Sequence, residues 1–210
     1  MSALVSYSGG MRIEVFSDMV CPWCYIGKRR LSIALDQVGA KPELVWRAFQ
    51  LDPSYPSNVT WTLSEAHANR YGIHGEEDKR RQKLVTDLAA QVGIGYRLDR
   101  AIMANTVDAH RLVKHGHAHG KGTETAEALM RAFAVEGRDI GDHDTLNEIA
   151  AEQGLPPLEP GAYTDEVNAD LALAARYGVV GVPTLIVDEK YMLVSPEIQD
   201  LSRFLQQHAG

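Results

Sequence analysis

Of 210 residues only two are cysteine, too few for the disulfide framework that staples small secreted folds. No apolar run approaches the roughly 20 residues that a membrane-spanning helix needs. Positive charge is also scarce: 21 Lys and Arg stand against 28 Asp and Glu, a net charge of −7. Without a basic stripe to displace counterions from phosphates, the chain is a poor candidate for nucleic acid, and anionic membrane surfaces are disfavoured on the same ground. Residues 1–10 have neither a basic n-region nor an apolar h-region. They read as a flexible N-terminal extension, which makes the cytoplasm the expected compartment. What is present is ordinary for a globular protein, 45% apolar and 23% charged residues, enough side chain to bury a core without staples.

Met11–Ser17 alternates apolar and polar residues and predicts a strand. From Pro22 to Gly39, Ile26, Leu31, Ala34, Leu35 and Val38 recur at helical spacing, with the proline suited to the first turn. Glu43–Leu51 is a second strand, and the β-α-β order suggests a parallel pair. From about Ser64 to Gly154 no strand is expected. Helical patterns cover Glu76–Val92, Asn105–His117, Glu124–Val135 and His143–Gln153, with Asn105 and Asp142 as N-caps. A helix over Asp165–Tyr177, a buried strand Val182–Val187, a tight turn at Asp188–Lys190, a hairpin partner Tyr191–Val194 and a helix from about Pro196 to Gln207 complete the chain.

The two cysteines stand together, as Cys21-Pro22-Trp23-Cys24, at the start of the first helix. Unpaired N–H groups at a helix start favour a thiolate, the nucleophile of disulfide exchange. Cys21 is therefore expected to be exposed and attacking, and Cys24, one turn inward, to be shielded and resolving. A zinc half-site would need two further ligands, and no second cysteine pair exists. Val182-Pro183 is a second element: a cis peptide there would turn the Val182 backbone toward the cysteines, where it could pair with an extended substrate.

Other residues have blander readings. Trp23 is taken as an apolar contact for substrate. Asn105, Asp108 and His110 share a helix, and are more simply a polar interface than a group that activates Cys21. His115, His117 and His119 alternate by two among Gly and Lys, which predicts a solvated loop rather than a metal cluster. Trp46, Phe49, Tyr96 and Phe133 are expected in the core, and Asp18 as a loop cap.

With these residues in hand the chain resembles the DsbA family of thioredoxin-fold proteins, specifically the FrnE-like dithiol–disulfide isomerases and their relatives the 2-hydroxychromene-2-carboxylate isomerases. The likeness rests on Phe16-Ser-Asp-x-x-Cys-Pro-Trp-Cys24, Trp46-Arg-x-Phe-x-Leu51, Ala104-Asn-x-x-Asp-Ala-His-Arg111, Gly137-Arg-Asp-Ile-Gly-Asp142 and Gly178-Val-x-Gly-Val-Pro-Thr184. It implies an α/β thioredoxin-like domain, 11–62 with 156–210, interrupted by a helical insertion, 63–155. The family's redox pair maps onto Cys21 and Cys24, its cis-proline onto Pro183, and its substrate groove onto Pro22, Trp23, Val182, Pro183 and Thr184. The chain departs from the family pattern at Asp52, at Leu185 and over Leu193-Val-Ser-Pro-Glu197, so substrate preference does not carry over.

The expected function is thiol–disulfide exchange, as isomerase or reductase, with no cofactor beyond the redox-active pair. Protein thiols or small thiols are the expected substrates, glutathione among them as a co-substrate. Homodimerisation is left open. Two alternatives stand beside this: a glutathione-dependent isomerase or transferase on the same fold, and a non-catalytic client-binding module in which the cysteines are dispensable.

Overall fold

Residues 10–208 are described by a computed structural model; of the expected extension, all but Gly10 lies outside them. The first strand, β1 (Arg12–Ser17), owes its place to its alternation: Ile13 and Val15 enter the main hydrophobic cluster, while Phe16 enters a smaller one on the opposite face. Helix α1 (Pro22–Val38) starts with the proline at its first position and stops at Gly39, whose φ of +68° is open to glycine without cost. Strand β2 (Glu43–Ala48) pairs with β1 in parallel, Val15 opposite Trp46. It is shorter than the sequence suggests: the Phe49 amide still reaches Ser17 O at 3.1 Å, but the chain bends at Leu51, whose amide goes to the Asp18 carboxylate at 2.7 Å rather than to a ladder.

The middle of the chain is helical, with one exception. A two-residue antiparallel ribbon joins β3 (Trp61–Thr62) to β4 (Ile102–Met103), where no strand was expected; segments so short have no readable period. Around it lie α2 (Leu63–Tyr71), capped by a reciprocal Thr62–Glu65 box, and α3 (Gly75–Gln91). Next come α4 (Val107–Ala118), α5 (Gly122–Arg131), which runs into a π turn at Ala132–Glu136, and α6 (His143–Glu152). Asp142 caps α6 through the Thr145 amide at 2.8 Å. Asn105 is not the cap of α4. It lies one residue outside and accepts from Val107 N at 3.1 Å, leaving Thr106 as an N-cap without a side-chain bond.

The last third restores the sheet. Helix α7 (Thr164–Tyr177) precedes β5 (Thr184–Val187), which pairs antiparallel with both β1 and β6 (Tyr191–Val194), and α8 (Ile198–His208) ends the described chain. The strand order is β2-β1-β5-β6. Asp188 and Glu189 both take positive φ in the hairpin turn, as its tightness predicts. Helices α1 and α8 pack together, and one cluster of buried apolar residues continues from β1 and α1 into α4, α5 and α6.

Strand β2 is an edge strand, and α4 covers its open side with side chains instead of a backbone ladder. His110, Lys114 and His117 fall at helical spacing along one side of α4. His117 Nε2 accepts from Trp46 N at 3.0 Å, Lys114 Nζ donates to Trp46 O at 3.1 Å, and His110 Nε2 donates to Phe49 O at 3.0 Å. Asp170 of α7 takes the Ala48 amide at 2.7 Å. The expected solvated loop at His115, His117 and His119 is thus corrected. His115 and His117 lie within α4, and His115 is buried between the Tyr163 hydroxyl and Pro156 O, at 3.2 and 2.9 Å. Their polar character matched unpaired backbone that sequence spacing could not reveal.

Candidate active site

Cys21 occupies the N-cap of α1 in extended geometry, its amide on Asp18 O at 3.1 Å. The Cys24 amide returns to Cys21 O at 3.0 Å, closing the first turn. Both are free thiols. Cys24 is sealed at 1% exposure, and burial pushes its thiol well up, reinforced by Cys21. Hydrogen bonding to Ser17 and the Asp18 backbone acts the other way. Cys21 was expected to be exposed, and it is not: it is 4% accessible. The chain between α3 and β4 covers the start of α1, where the Tyr96 hydroxyl donates to Pro22 O at 2.5 Å. Cys21 opens instead onto a cavity.

The Val182–Pro183 peptide is cis. The Cys21 thiol is 3.9 Å from Val182 O, a long sulfur contact that places this backbone beside the cysteine pair. Pro183 in turn lies against Gly27 of α1. A Cβ built at Gly27 would come within 2.6 Å of Pro183 Cγ, so only glycine lets the proline sit this close to the helix. Thr184, expected along the substrate groove, is 1% exposed, and its hydroxyl donates to Gly181 O at 2.7 Å. As the first residue of β5 it faces inward, so its groove role is corrected to a structural one.

The cavity encloses about 550 Å³ and is lined by Cys21, Pro22 and Trp23 on one side and by residues of α2 and α3 on the other. This lies within the size range of small-molecule sites. Four of the large apolar side chains that remain exposed, Trp23, Leu51, Tyr71 and Leu84, line it. Beneath them Asp18 is 1% exposed, with Oδ2 on the Leu51 amide and Oδ1 without a hydrogen bond, 3.6 Å from His110 Nε2. Burial pushes the Tyr55 hydroxyl up to about 12, so it keeps its proton.

Asn105, Asp108 and His110 do not converge on the thiols. Asn105 donates to Tyr55 O at 2.9 Å and accepts from Gln50 at 3.2 Å, Asp108 pairs with Arg111, and His110 holds the edge of β2 with Asp18 Oδ1 at 3.6 Å. Asn105 and His110 tie the start of α4 to the chain that follows β2, while the Asp108 pair stays within α4. Among the described residues no group of His, Cys, Asp and Glu is arranged to hold a metal ion, and no helix is long and apolar enough to cross a membrane.

Sequence reasoning missed two features. Gly27 interrupts an otherwise regular helical pattern, which is itself a signal of close packing. The pair His67–Asp78, at 2.5 Å between Nδ1 and Oδ1, left no local signal because a helix break separates the two.

A four-stranded mixed sheet, a cysteine pair at the head of its first helix and a proline loop facing that pair define the thioredoxin-fold class of thiol–disulfide oxidoreductases. Within that class the chain belongs to the family of DSBA-like thioredoxin domains, whose model matches residues 12–206. It is similar to a probable DsbA oxidoreductase from Streptomyces coelicolor, at 30% identity over 94% of this chain and 89% of that one, with a TM-score of 0.87. An uncharacterized protein of Bacillus subtilis, YwbO, is 27% identical over 85% of this chain and 88% of its own length. The cytosolic disulfide reductase DsbM of Pseudomonas aeruginosa shares the fold at 20% identity, with 93% and 97% coverage and a TM-score of 0.63.

Proposed function

We propose that this protein exchanges disulfides through Cys21 and Cys24, as a reductase or isomerase of thiol-bearing proteins or small thiols in the cytoplasm. The observation that carries the reading is the asymmetry of the pair: Cys21 faces a cavity and the Val182 carbonyl, while Cys24 is sealed behind it. The Cys21 thiolate attacks one sulfur of a substrate disulfide, a mixed disulfide forms, and the other sulfur leaves as a thiolate. Cys24 then attacks Cys21 Sγ, which releases the second substrate thiolate and leaves the enzyme pair oxidised by two electrons. If a free thiol on the substrate attacks first, the substrate is isomerised and the pair stays reduced. Support for a reducing role comes from the likeness to a protein named as a cytosolic disulfide reductase, also solved with glutathione.

The test is equilibration in a series of glutathione redox buffers, followed by acid quench, alkylation and intact mass. A reversible change between no and two alkyl groups per chain, centred on one potential and lost in Cys21→Ser and Cys24→Ser, is expected, and the midpoint gives the direction of net exchange. A pair that stays reduced throughout, or that holds one glutathione without resolving it, would sink the reading.

A further inference from the structure

On the cavity wall contributed by α2 and α3, His67 and Asp78 form a carboxylate–imidazole pair that the exchange chemistry above does not use. Asp78 is 4% exposed and its carboxylate is fully engaged. Oδ1 meets His67 Nδ1 at 2.5 Å, and Oδ2 accepts from Ser64 Oγ at 2.6 Å and Gln82 Nε2 at 2.8 Å. A carboxylate fixed this way sets the tautomer of its partner: Nδ1 carries the proton, and Nε2 presents a basic lone pair. Among the described residues Nε2 has no hydrogen-bond partner, and His67 lines the same cavity as Cys21.

The chemistry beside it has a proton to place. Attack on a substrate disulfide expels a thiolate next to apolar walls, where an unpaired charge is costly, and an alkyl thiolate, whose thiol has a high pKa, leaves more slowly than an aromatic one. Asp18 Oδ1 and the Tyr55 hydroxyl, which also line the cavity, make no hydrogen bond, but these residues are buried at 1% and 3% exposure, whereas the His67 side chain is 21% exposed. The remaining polar groups are committed. Asp52 is ion-paired to Arg70, Gln82 is held by Asp78 and Ser64, and Arg81 pairs with Glu77.

We infer that His67, oriented by Asp78, transfers the substrate's proton during exchange at Cys21. As the Cys21 Sγ–substrate bond forms and the substrate S–S bond breaks, the electron pair leaves with the departing sulfur. The proton that Cys21 gave up on ionising reaches the Nε2 lone pair through water and passes from there to that sulfur, so the imidazole ends neutral, as it began. In the reverse direction Nε2 takes the proton from an attacking thiol. This assignment rests on the exchange reading given above, and its test separates the two.

The reduced protein, His67→Gln and Asp78→Asn are each reacted with two neutral disulfides, dithiodipyridine and hydroxyethyl disulfide. The pyridine thiolate leaves without a proton and the alkyl thiolate does not. The variants are expected to slow reduction of the alkyl disulfide by about tenfold or more, while the aromatic one stays within about twofold. Equal slowing of both would mean that the pair only ties α2 to α3, and unchanged rates for both would remove His67 from the reaction. Either result overturns the assignment while Cys21 still works. A wild-type protein inert toward both disulfides would overturn the exchange reading and the role of His67 together.

Discussion

Gly27 and Pro183 touch across the active site, so closely that a single methyl group on the glycine would lie 2.6 Å from the proline ring. Proline cannot rotate away as a flexible side chain would. Gly27→Ala must therefore displace either α1 or the Val182–Pro183 loop, and with it the carbonyl that faces Cys21. The expected cost is about 1–3 kcal/mol of stability, together with slower exchange. Urea unfolding and disulfide reduction rates check it, and a variant that matches the wild type in both would show that the two elements are free to part.

Removing the sealed thiol separates attack from resolution. Cys24→Ala, incubated with glutathione disulfide, is expected to accumulate one glutathione on Cys21, because nothing remains to expel it. Peptide mass mapping reads the adduct. Its absence, with Cys21 still alkylatable, would show that Cys21 is not the attacking group.

The edge of β2 makes stability depend on pH. His117 accepts the Trp46 amide through Nε2 and so must be neutral; burial, then Lys114, lowers its proton affinity below the ordinary 6.5. In the window between that value and the lower folded one, the unfolded chain binds the proton and the folded chain does not. The contribution is therefore complete above about pH 6.5 and is lost as the pH falls toward the folded value. Urea midpoints across this range are expected to drop more for the wild type than for His117→Gln. Parallel curves would sink the prediction.

Asp170 joins three partners behind the same strand: Arg47 at 2.9 Å, Lys114, and the Ala48 amide. Arg47 also bridges to the buried Glu14. Asp170→Ala would leave Lys114 buried beside Arg47 without its counter-charge. A loss of about 3–5 kcal/mol is expected from truncating one partner of such a group. Chemical denaturation measures it, and a loss below about 1 kcal/mol would place the network in the class of weak surface pairs.

Much of this was legible because some residues state their surroundings locally. The alternation of Ile13 and Val15 against Glu14 and Phe16 gave β1, Pro22 and Gly39 bracketed α1, and the cysteine pair lies at the head of that helix as its spacing suggested. His110, Lys114 and His117 are the opposite case. Their apparent polarity is satisfied by backbone groups of Trp46 and Phe49, more than sixty residues away in the chain, and helical periodicity carries no record of a strand edge. The ribbon of Trp61–Thr62 with Ile102–Met103 was too short to have a period. Burial of Cys21 was equally hidden: Tyr96 reaches the neighbouring Pro22 carbonyl from 74 residues away in the chain.

The depth of Cys24 sets a rule of traffic. With its sulfur sealed, the protein offers the outside a single port, and no two partners can be served at once. Under the exchange proposed above, an electron donor and an electron acceptor take turns at Cys21, each departing before the other arrives. The pair would then store two electrons between visits rather than bridge bound partners, and steady-state kinetics of double displacement are expected.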